Sequence, residues 1–368
     1  MLLKIAILPG DGIGPEVTDE AVRVLEAVAV AFAHELSVKK KDVGGAAYTS
    51  SRDPLPQDTL QTCLASSAVL LGAVGAPAFD NVPKDLRPEK GLLRLRKELG
   101  AFANLRPAIC FPALEDCSPL RSEVVRGTDV LIVRELLGGI YFGEPRSTEG
   151  AAGSRVAIDT MRYREPEIER IARVAFELAQ SRLRRVTSVD KANVLDCSRL
   201  WREVVTRVAQ QYPEVQLRHT YVDSAAMALV SHPKDFDVLL TENMFGDILS
   251  DQAGAIVGSI GMLGSASIGG PVALYEPVHG SAPDIAGKNI ANPLGAILSV
   301  AMMLRYSFHL NAEADCVDAA VTSVLSTGNR TRDLAKSGQL ALGTAEMGRK
   351  VVSAIRERAQ QAQPIAAH

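Results

Sequence analysis

The chain has 368 residues, 47% hydrophobic and 23% charged, with a formal net charge of −3; the length suits about two domains and the balance is that of an ordinary globular protein. A charge so near zero provides no basic field for nucleic acid and no acidic tail of the kind that stays disordered. Five cysteines (Cys63, Cys110, Cys117, Cys197, Cys316) show no C-x-x-C spacing, which argues against a disulfide framework or a zinc site and for reduced thiols in the cytoplasm.

Residues 2–8 read as a buried first strand, too short for a secretory segment with its flanks. The strand ends in Pro9-Gly10-Asp11-Gly12-Ile13-Gly14-Pro15. A dinucleotide fingerprint G-x-G-x-x-G needs glycine at 15 or 17, where Pro15 and Val17 stand, so a Rossmann site is not expected. Pro15 suits a first helical position and Glu16 a first turn. The helix that follows carries Val17, Ala21, Val24, Leu25 and Val28 as its apolar stripe. A strand over 36–43, a turn at 53–56 and a short helix lead to the continuous apolar run 68–74. Such runs alternating with helices indicate a parallel sheet covered on both faces.

Residues 89–97 form a predicted helix in which Leu92 and Leu93 sit beside alternating arginines. Arg106 comes soon after, in Asn104-Leu105-Arg106-Pro107, and Arg134 at the end of a strand, 130–135. Arginine forks suit carboxylates, and three of them suit a di- or tricarboxylate if they converge. Residues 138–146 read as a strand and turn containing Tyr141, a proton donor or a buried tyrosine with a satisfied hydroxyl. Lys191 lies just past a buried strand; desolvated there it would suit a general base, and the alternative is an ordinary exposed lysine. Asp223 stands at a strand-to-helix junction, an N-cap or a metal ligand.

After an apolar strand at 236–240, a helix opens near Phe245, with Ile248, Leu249 and Ala253 on its expected buried side. Asp247 and Asp251 are four apart and share a helix face. Two such carboxylates repel unless a cation or partner charge joins them, and their hard oxygens suit Mg²⁺ or Mn²⁺. The alternative is that Asp247 complements the helix N-terminus and Asp251 faces solvent.

Residues 252–275 carry no charge, but their six glycines and Pro271 indicate packed helix, loop and strand rather than a membrane span. A long glycine-rich loop, 276–293, has parts that suit an adenosine. His279 and Ile285 can flank a base, Asn292 can bond its edge, and Asp284 can accept from ribose hydroxyls, which favours NAD over NADP. Helices are expected near 293–306, 314–325 and 346–358, with a frayed tail at 359–368. No repeat or linker composition interrupts the chain, so one domain is expected to be inserted into the other.

Taken together, LPGDGIGPEV, GLLRLRKELGAFANLRP, VLIVRELLGGIYFGEPR, SVDKANVL, TENMFGDILSD and EPVHGSAPDIAGKNIANP resemble the isocitrate/isopropylmalate dehydrogenase family, and within it the isopropylmalate branch, over essentially the whole chain. The resemblance implies an α/β fold of two domains sharing a large, mostly parallel sheet, with a non-Rossmann cofactor site. It implies a cofactor domain at 1–101 and 258–368 and an inserted substrate, metal and dimerisation domain at 102–257. It implies metal-dependent oxidative decarboxylation of (2R,3S)-3-isopropylmalate to 4-methyl-2-oxopentanoate with NAD reduction, a step of leucine biosynthesis. The alternatives are the related acids isocitrate, malate and tartrate.

Carried over by position, the resemblance implies that Arg96, Arg106 and Arg134 bind substrate carboxylates. Asp247 and Asp251, with Asp223 of the partner subunit, would hold Mg²⁺ or Mn²⁺. Asp223 also reaches the substrate, and Lys191 and Tyr141 form the acid–base pair. Leu92, Leu93, Asn193 and Val194 complete the substrate pocket, with Lys191 and Asn193 reaching across a homodimer. Glu89, Glu276, His279, Gly280, Ser281, Ala282, Asp284, Ile285 and Asn292 bind NAD. Neither nucleic acid nor membrane is expected as a partner.

Overall fold

The protein is described here by a computed structural model covering residues 1–362; the last part of the expected frayed tail, 363–368, lies outside the described residues, and 359–362 continue the helix Thr344–Ala362. The strands, in chain order, are β1 (Leu2–Gly10), β2 (Glu35–Lys40), β3 (Ala68–Ala73), β4 (Ala103–Ile109), β5 (Asp129–Glu135), β6 (Ser147–Glu149), β7 (Val156–Ile158), β8 (Arg185–Asp190), β9 (Gln216–Tyr221), β10 (Val238–Thr241), β11 (Gly264–Ile268) and β12 (Ala273–Pro277). The chain divides into two compact units. Unit 1 is Met1–Ala101, Phe111–Pro119 and the chain from Val257 onward; unit 2 is Phe102–Cys110 and Leu120–Ile256.

Unit 1 orders its strands β2-β1-β3-β12-β11. All neighbours run parallel except β11 against β12. β3 is buried at every position, as its unbroken apolar run requires when helices cover both faces. β2 is largely exposed and ends in Lys39 and Lys40, charges that discourage further strand pairing at an edge. The helix Gly14–Ala31 begins with Pro15 and Glu16 in its first turn and buries Val17, Ala21, Val24, Leu25 and Val28, the predicted stripe. Leu8, Leu55, Leu71, Leu95, Leu99 and Leu274 meet in one core cluster at 0–1% exposure, each burial contributing about 1.5–3 kcal/mol.

Unit 2 orders its strands β4-β5-β10-β8-β9. Here β4 runs antiparallel to β5 and the rest are parallel. β6 and β7 form a separate antiparallel ribbon whose Val156 and Ile158 are exposed. Among the described residues no helix is long and apolar enough to cross a membrane.

Three local expectations are corrected. β2 stops at Lys40, and a helix Gly44–Ser51 occupies residues with no helical pattern; Asp11 anchors its start by accepting from Gly45 N and Ala46 N at 2.8 Å each. Residues 139–141 form a 3₁₀ turn, not a strand. Ile248 is 59% exposed, while Phe245, Leu249, Ala253 and Ile256 face inward, because a helix with that stripe turns Ile248 outward.

Candidate active site

In unit 2, β10 ends at Thr241 and the chain enters the helix Asn243–Ile256 through Glu242. The Glu242 carboxylate accepts from Phe245 N at 2.6 Å, satisfying one of the helix's unpaired first-turn donors. Burial raises the Glu242 carboxyl, and hydrogen bonds from Phe245, Met244 and Tyr163 oppose the rise. Gly246 follows because nothing larger fits. A Cβ there would lie 2.3 Å from Thr241 Oγ1 and 2.7 Å from Arg134 Cγ, so the first turn packs directly on the Arg134 stem.

Asn243, Asp247, Ser250 and Asp251 fall at i, i+4, i+7 and i+8, one face of this helix. Two arginines from the neighbouring antiparallel strands meet that face. Arg134, at the end of β5, is 2% exposed. Its Nε and Nη2 donate to Asn243 Oδ1 at 3.0 and 2.7 Å, and its Nη1 pairs with Asp247 Oδ1. Arg106, on β4, donates through Nε to Asn104 Oδ1 (2.7 Å) and through Nη1 to Ser250 Oγ (2.7 Å) and Asp251 Oδ1 (3.2 Å), with Asp247 Oδ1 at 3.4 Å. Arg106 and Arg134 therefore converge; Arg96 belongs to unit 1. Tyr141 donates its hydroxyl to Asp247 Oδ2 at 3.0 Å, with the Arg134 guanidinium 5.7 Å from its ring centre.

The charges sort these groups by protonation. Burial pushes the Asp247 carboxyl up, but Arg134, Arg106 and the Tyr141 hydroxyl outweigh it and hold Asp247 below the usual carboxylate range. Asp251 goes the other way. Burial raises it and the Asp247 charge adds to the rise against the opposing arginines. Burial, then the Asp247 charge, raises the Tyr141 phenol, so Tyr141 keeps its proton through neutral pH and has one to give.

Lys191 follows β8 in a turn tied down by buried Asp190, which accepts from Ala192 N at 2.9 Å and holds Arg202 with both oxygens. The lysine is not sealed from water. Its side chain is 29% exposed and its Nζ pairs with Asp223 Oδ1 at 2.6 Å. That hydrogen bond holds the Asp223 carboxyl below its ordinary value. Asn193 and Val194, two and three residues on, are exposed. Among the described residues no three His, Cys, Asp or Glu side chains gather into a metal site within the chain, so Asp223 does not join Asp247 and Asp251. The two carboxylates themselves suit a divalent cation. They offer hard oxygens one helical turn apart, Asp251 is half exposed, and their mutual repulsion is what a cation relieves.

In unit 1, Arg96 is buried and donates through Nη2 to Glu276 Oε1 at 2.7 Å, while its Nε has no partner. Leu92 and Leu93 are half-buried, and Leu92 packs on the core cluster. Glu89 is exposed. The glycine-rich loop borders a cleft of about 390 Å³ lined by Ile13, Ile260, His279, Ala282, Ile285 and Arg332, among others. Its floor is apolar. His279 Nδ1 lies 2.9 Å from Gly280 O and Nε2 is buried without a partner; burial lowers the imidazole's pKa. A neutral ring donating through Nδ1 leaves Nε2 as a bare acceptor, which fits an adenine amino group. Gly280 has open space at its Cβ position, and Ser281 offers its carbonyl to Ile13 N at 2.8 Å. The Asn292 amide is already engaged, accepting from Leu294 N at 3.0 Å and donating to Asp333 at 3.0 Å. Asp284 is exposed.

Asn243 and Ser250 were not singled out from sequence, although their spacing from Asp247 and Asp251 puts them on the same helix face. Arg332 was not singled out either, and no local signal ties it to the loop across the cleft.

Residues 4–351 match the family model described as isocitrate/isopropylmalate dehydrogenase. The 3-isopropylmalate dehydrogenase of Aquifex aeolicus is 54% identical over 349 residues, covering 95% of this chain and 96% of the relative. That of Geobacillus kaustophilus is 57% identical over 354 residues, covering 96% and 95%. Among solved structures, isocitrate dehydrogenase from Methylococcus capsulatus superposes with a TM-score of 0.85 at 35% identity, covering 96% of this chain and 99% of that one. The apo form of a β-decarboxylating dehydrogenase from Thermococcus kodakarensis gives 0.79 at 36% identity, covering all of both chains. The chain belongs to the isocitrate/isopropylmalate dehydrogenase family.

Proposed function

We propose that the chain is an NAD-dependent 3-isopropylmalate dehydrogenase that oxidises and decarboxylates (2R,3S)-3-isopropylmalate to 4-methyl-2-oxopentanoate in leucine biosynthesis. The observation that carries the chemistry is the convergence of Arg106, Arg134 and Tyr141 on Asp247, with Asp251 one turn away. The names of the relatives at 54–57% identity support the choice of acid. The half-buried Leu92 and Leu93 suit an isopropyl group better than the third carboxylate of isocitrate, which would want a cation or hydroxyl.

In this reading Arg96, Arg106 and Arg134 take the substrate carboxylates. Asp247 and Asp251, with Asp223 of the partner subunit, hold Mg²⁺ or Mn²⁺. The cleft lined by His279, Ala282, Ile285 and Asn292, with Glu89, Glu276, Gly280, Ser281 and Asp284, takes NAD. When bound, the cation acidifies the substrate hydroxyl and stabilises enolate charge, and NAD accepts the hydride. Lys191 accepts the hydroxyl proton. Tyr141 gives its phenolic proton to the carbon that loses CO₂. Asn193 and Val194 flank Lys191 on the side that reaches the substrate.

Lys191 and Asp223 pair with each other, so they reach a site together. We place them in the partner's site of a homodimer. Exposed apolar side chains in unit 2 support that assembly: Met227 (66%), Val230 (41%) and Ile248 (59%), with Val156 and Ile158 on the ribbon. The helices that carry Met227, Val230 and Ile248 pack on each other, and neighbouring exposed apolar side chains suit an interface. Met227→Asp combined with Ile248→Asp is expected to sediment as a monomer and to lose activity. A variant that stays dimeric and active removes this surface from the interface. The five cysteines are all free thiols, which agrees with the cytoplasm as the compartment.

The test is NADH formation with Mn²⁺ on 3-isopropylmalate, beside isocitrate, malate and tartrate, with and without EDTA. The expected result is EDTA-sensitive turnover with isopropylmalate preferred by about 10²-fold or more, given the apolar Leu92 and Leu93 side chains and the unpaired polar cost of the rivals. Preference for another acid overturns the substrate.

A further inference from the structure

We infer that Asn243 is a positioning residue that sets the Arg134 guanidinium and the turn carrying Tyr141 as one unit, and that Tyr163 holds Asn243 in place. The inference extends the proposed chemistry and uses its roles for Arg134 and Tyr141.

Asn243 is wholly buried and every hydrogen-bonding position of its side chain is taken. Oδ1 accepts from Arg134 Nε and Nη2 at 3.0 and 2.7 Å. Nδ2 donates to Leu136 O and Gly138 O, both at 3.1 Å. One amide thus grips the arginine and, with its other end, the turn that follows it in the chain. That turn leads through Gly139 to Tyr141. The Glu135 carboxylate grips the same turn by its N–H groups, accepting from Gly138 N at 2.7 Å and Leu137 N at 3.2 Å, and is itself held by Arg170 at 3.0 Å.

Tyr163 closes the network. Its hydroxyl accepts from Asn243 N at 2.9 Å and donates to Glu242 Oε2 at 3.1 Å. It also fills the space beside Gly139, where a Cβ would stand 2.4 Å from the Tyr163 oxygen and where φ is +74°. The Tyr163 hydroxyl therefore touches both Asn243 and the glycine two residues before Tyr141. The geometry couples carboxylate binding by Arg134 to proton delivery by Tyr141 through a neutral amide whose own hydrogen bonds are all spent within the protein. An amide suits this place because it is donor and acceptor at once; aspartate would face the two carbonyls with acceptors, and leucine would leave both sides unpaired.

The test compares the full-length native chain, Asn243→Ala and Tyr163→Phe by steady-state kinetics, NAD binding, thermal unfolding and crystallography. Asn243→Ala is expected to raise KM for 3-isopropylmalate about tenfold and to lower kcat about tenfold or more, because both the arginine fork and the tyrosine lose their reference. Tyr163→Phe is expected to lower kcat several-fold with a smaller KM change. In both, Tyr141 Oη moves out of hydrogen-bond reach of Asp247 while NAD affinity stays within about twofold. A residue that only held the fold together would lower the melting temperature and the active fraction, leaving KM and the Tyr141–Asp247 distance unmoved. That pattern in Asn243→Ala overturns the inference, and if Asn243→Ala does not fold, the same pattern in Tyr163→Phe overturns it. A native chain that ignores isopropylmalate overturns the proposed function instead, and the crystallographic distance still decides the positioning role.

Discussion

Lys191→Met lowers kcat for isopropylmalate oxidation by about 10²–10⁴-fold, the range a positioned general base contributes, while the dissociation constant for NAD changes by no more than about twofold. Lys191 is the basic group nearest Asp223, at 2.6 Å, and methionine keeps its length and apolar stem without the nitrogen. The cleft proposed to take NAD is lined by unit 1 residues, and Lys191 is not among them. Stability changes little, because Asp223 is well exposed and an exposed pair contributes little. Initial rates of NADH formation and cofactor titration by fluorescence check both halves. Intact turnover by the methionine variant removes Lys191 from the mechanism.

Asp247→Asn has the second large effect, on activity and on stability together. The native carboxylate carries three partners, Arg134, Arg106 and Tyr141, besides its proposed role toward the cation. Removing the charge takes a directly paired carboxylate from the buried Arg134 guanidinium, a loss of about 1–3 kcal/mol after allowance for the partly open aspartate. Turnover is expected to fall by about 10³-fold or more, since the proposed cation site loses a charged oxygen and the Tyr141 hydroxyl loses its charged acceptor at once.

The pH dependence has a definite sign. The folded-state pKa of Asp247 is depressed, so its stabilisation is present above its unfolded pKa of about 3.9 and is lost as pH falls through the folded value. The melting temperature gap between native and Asp247→Asn protein should therefore be widest near neutrality and close only in strong acid. Asp251 acts oppositely. Its raised folded pKa means that its contribution declines as pH rises from the unfolded value through the folded one. A divalent cation held by both carboxylates would relieve the repulsion of Asp251 by Asp247, so Mn²⁺ should raise the native melting temperature and leave Asp247→Asn nearly unmoved. Equal stabilisation of both proteins would place the cation elsewhere.

The elements built on local periodicity were legible in the chain. The apolar stripe of Gly14–Ala31, the buried β3 and the pairing of Asp247 with Asp251 on one helix face all follow from spacing. Pro15 and Val17 were enough to exclude the dinucleotide fingerprint. The misreadings have a common cause, which is that distant groups decide them. The helix Gly44–Ser51 has no amphipathic pattern and is anchored by Asp11, more than 30 residues earlier in the chain. Tyr141 sits in a 3₁₀ turn because Glu135, Asn243 and Tyr163 hold that turn from three sides. Ile248 was expected inside because it is apolar, yet it faces out beside the helix that carries Met227. The site was legible as a set of residue types in order; its hydrogen-bond partners, Asn243 and Ser250 above all, carry no signal beyond their spacing on the helix.

The most direct test of the central claim is NADH and CO₂ measured together in one sample of the purified protein with 3-isopropylmalate, NAD and Mn²⁺. Oxidation and decarboxylation on one pair of carboxylates should yield the two products in equal amounts, and EDTA should stop both. NADH without CO₂, or turnover indifferent to EDTA, would contradict it.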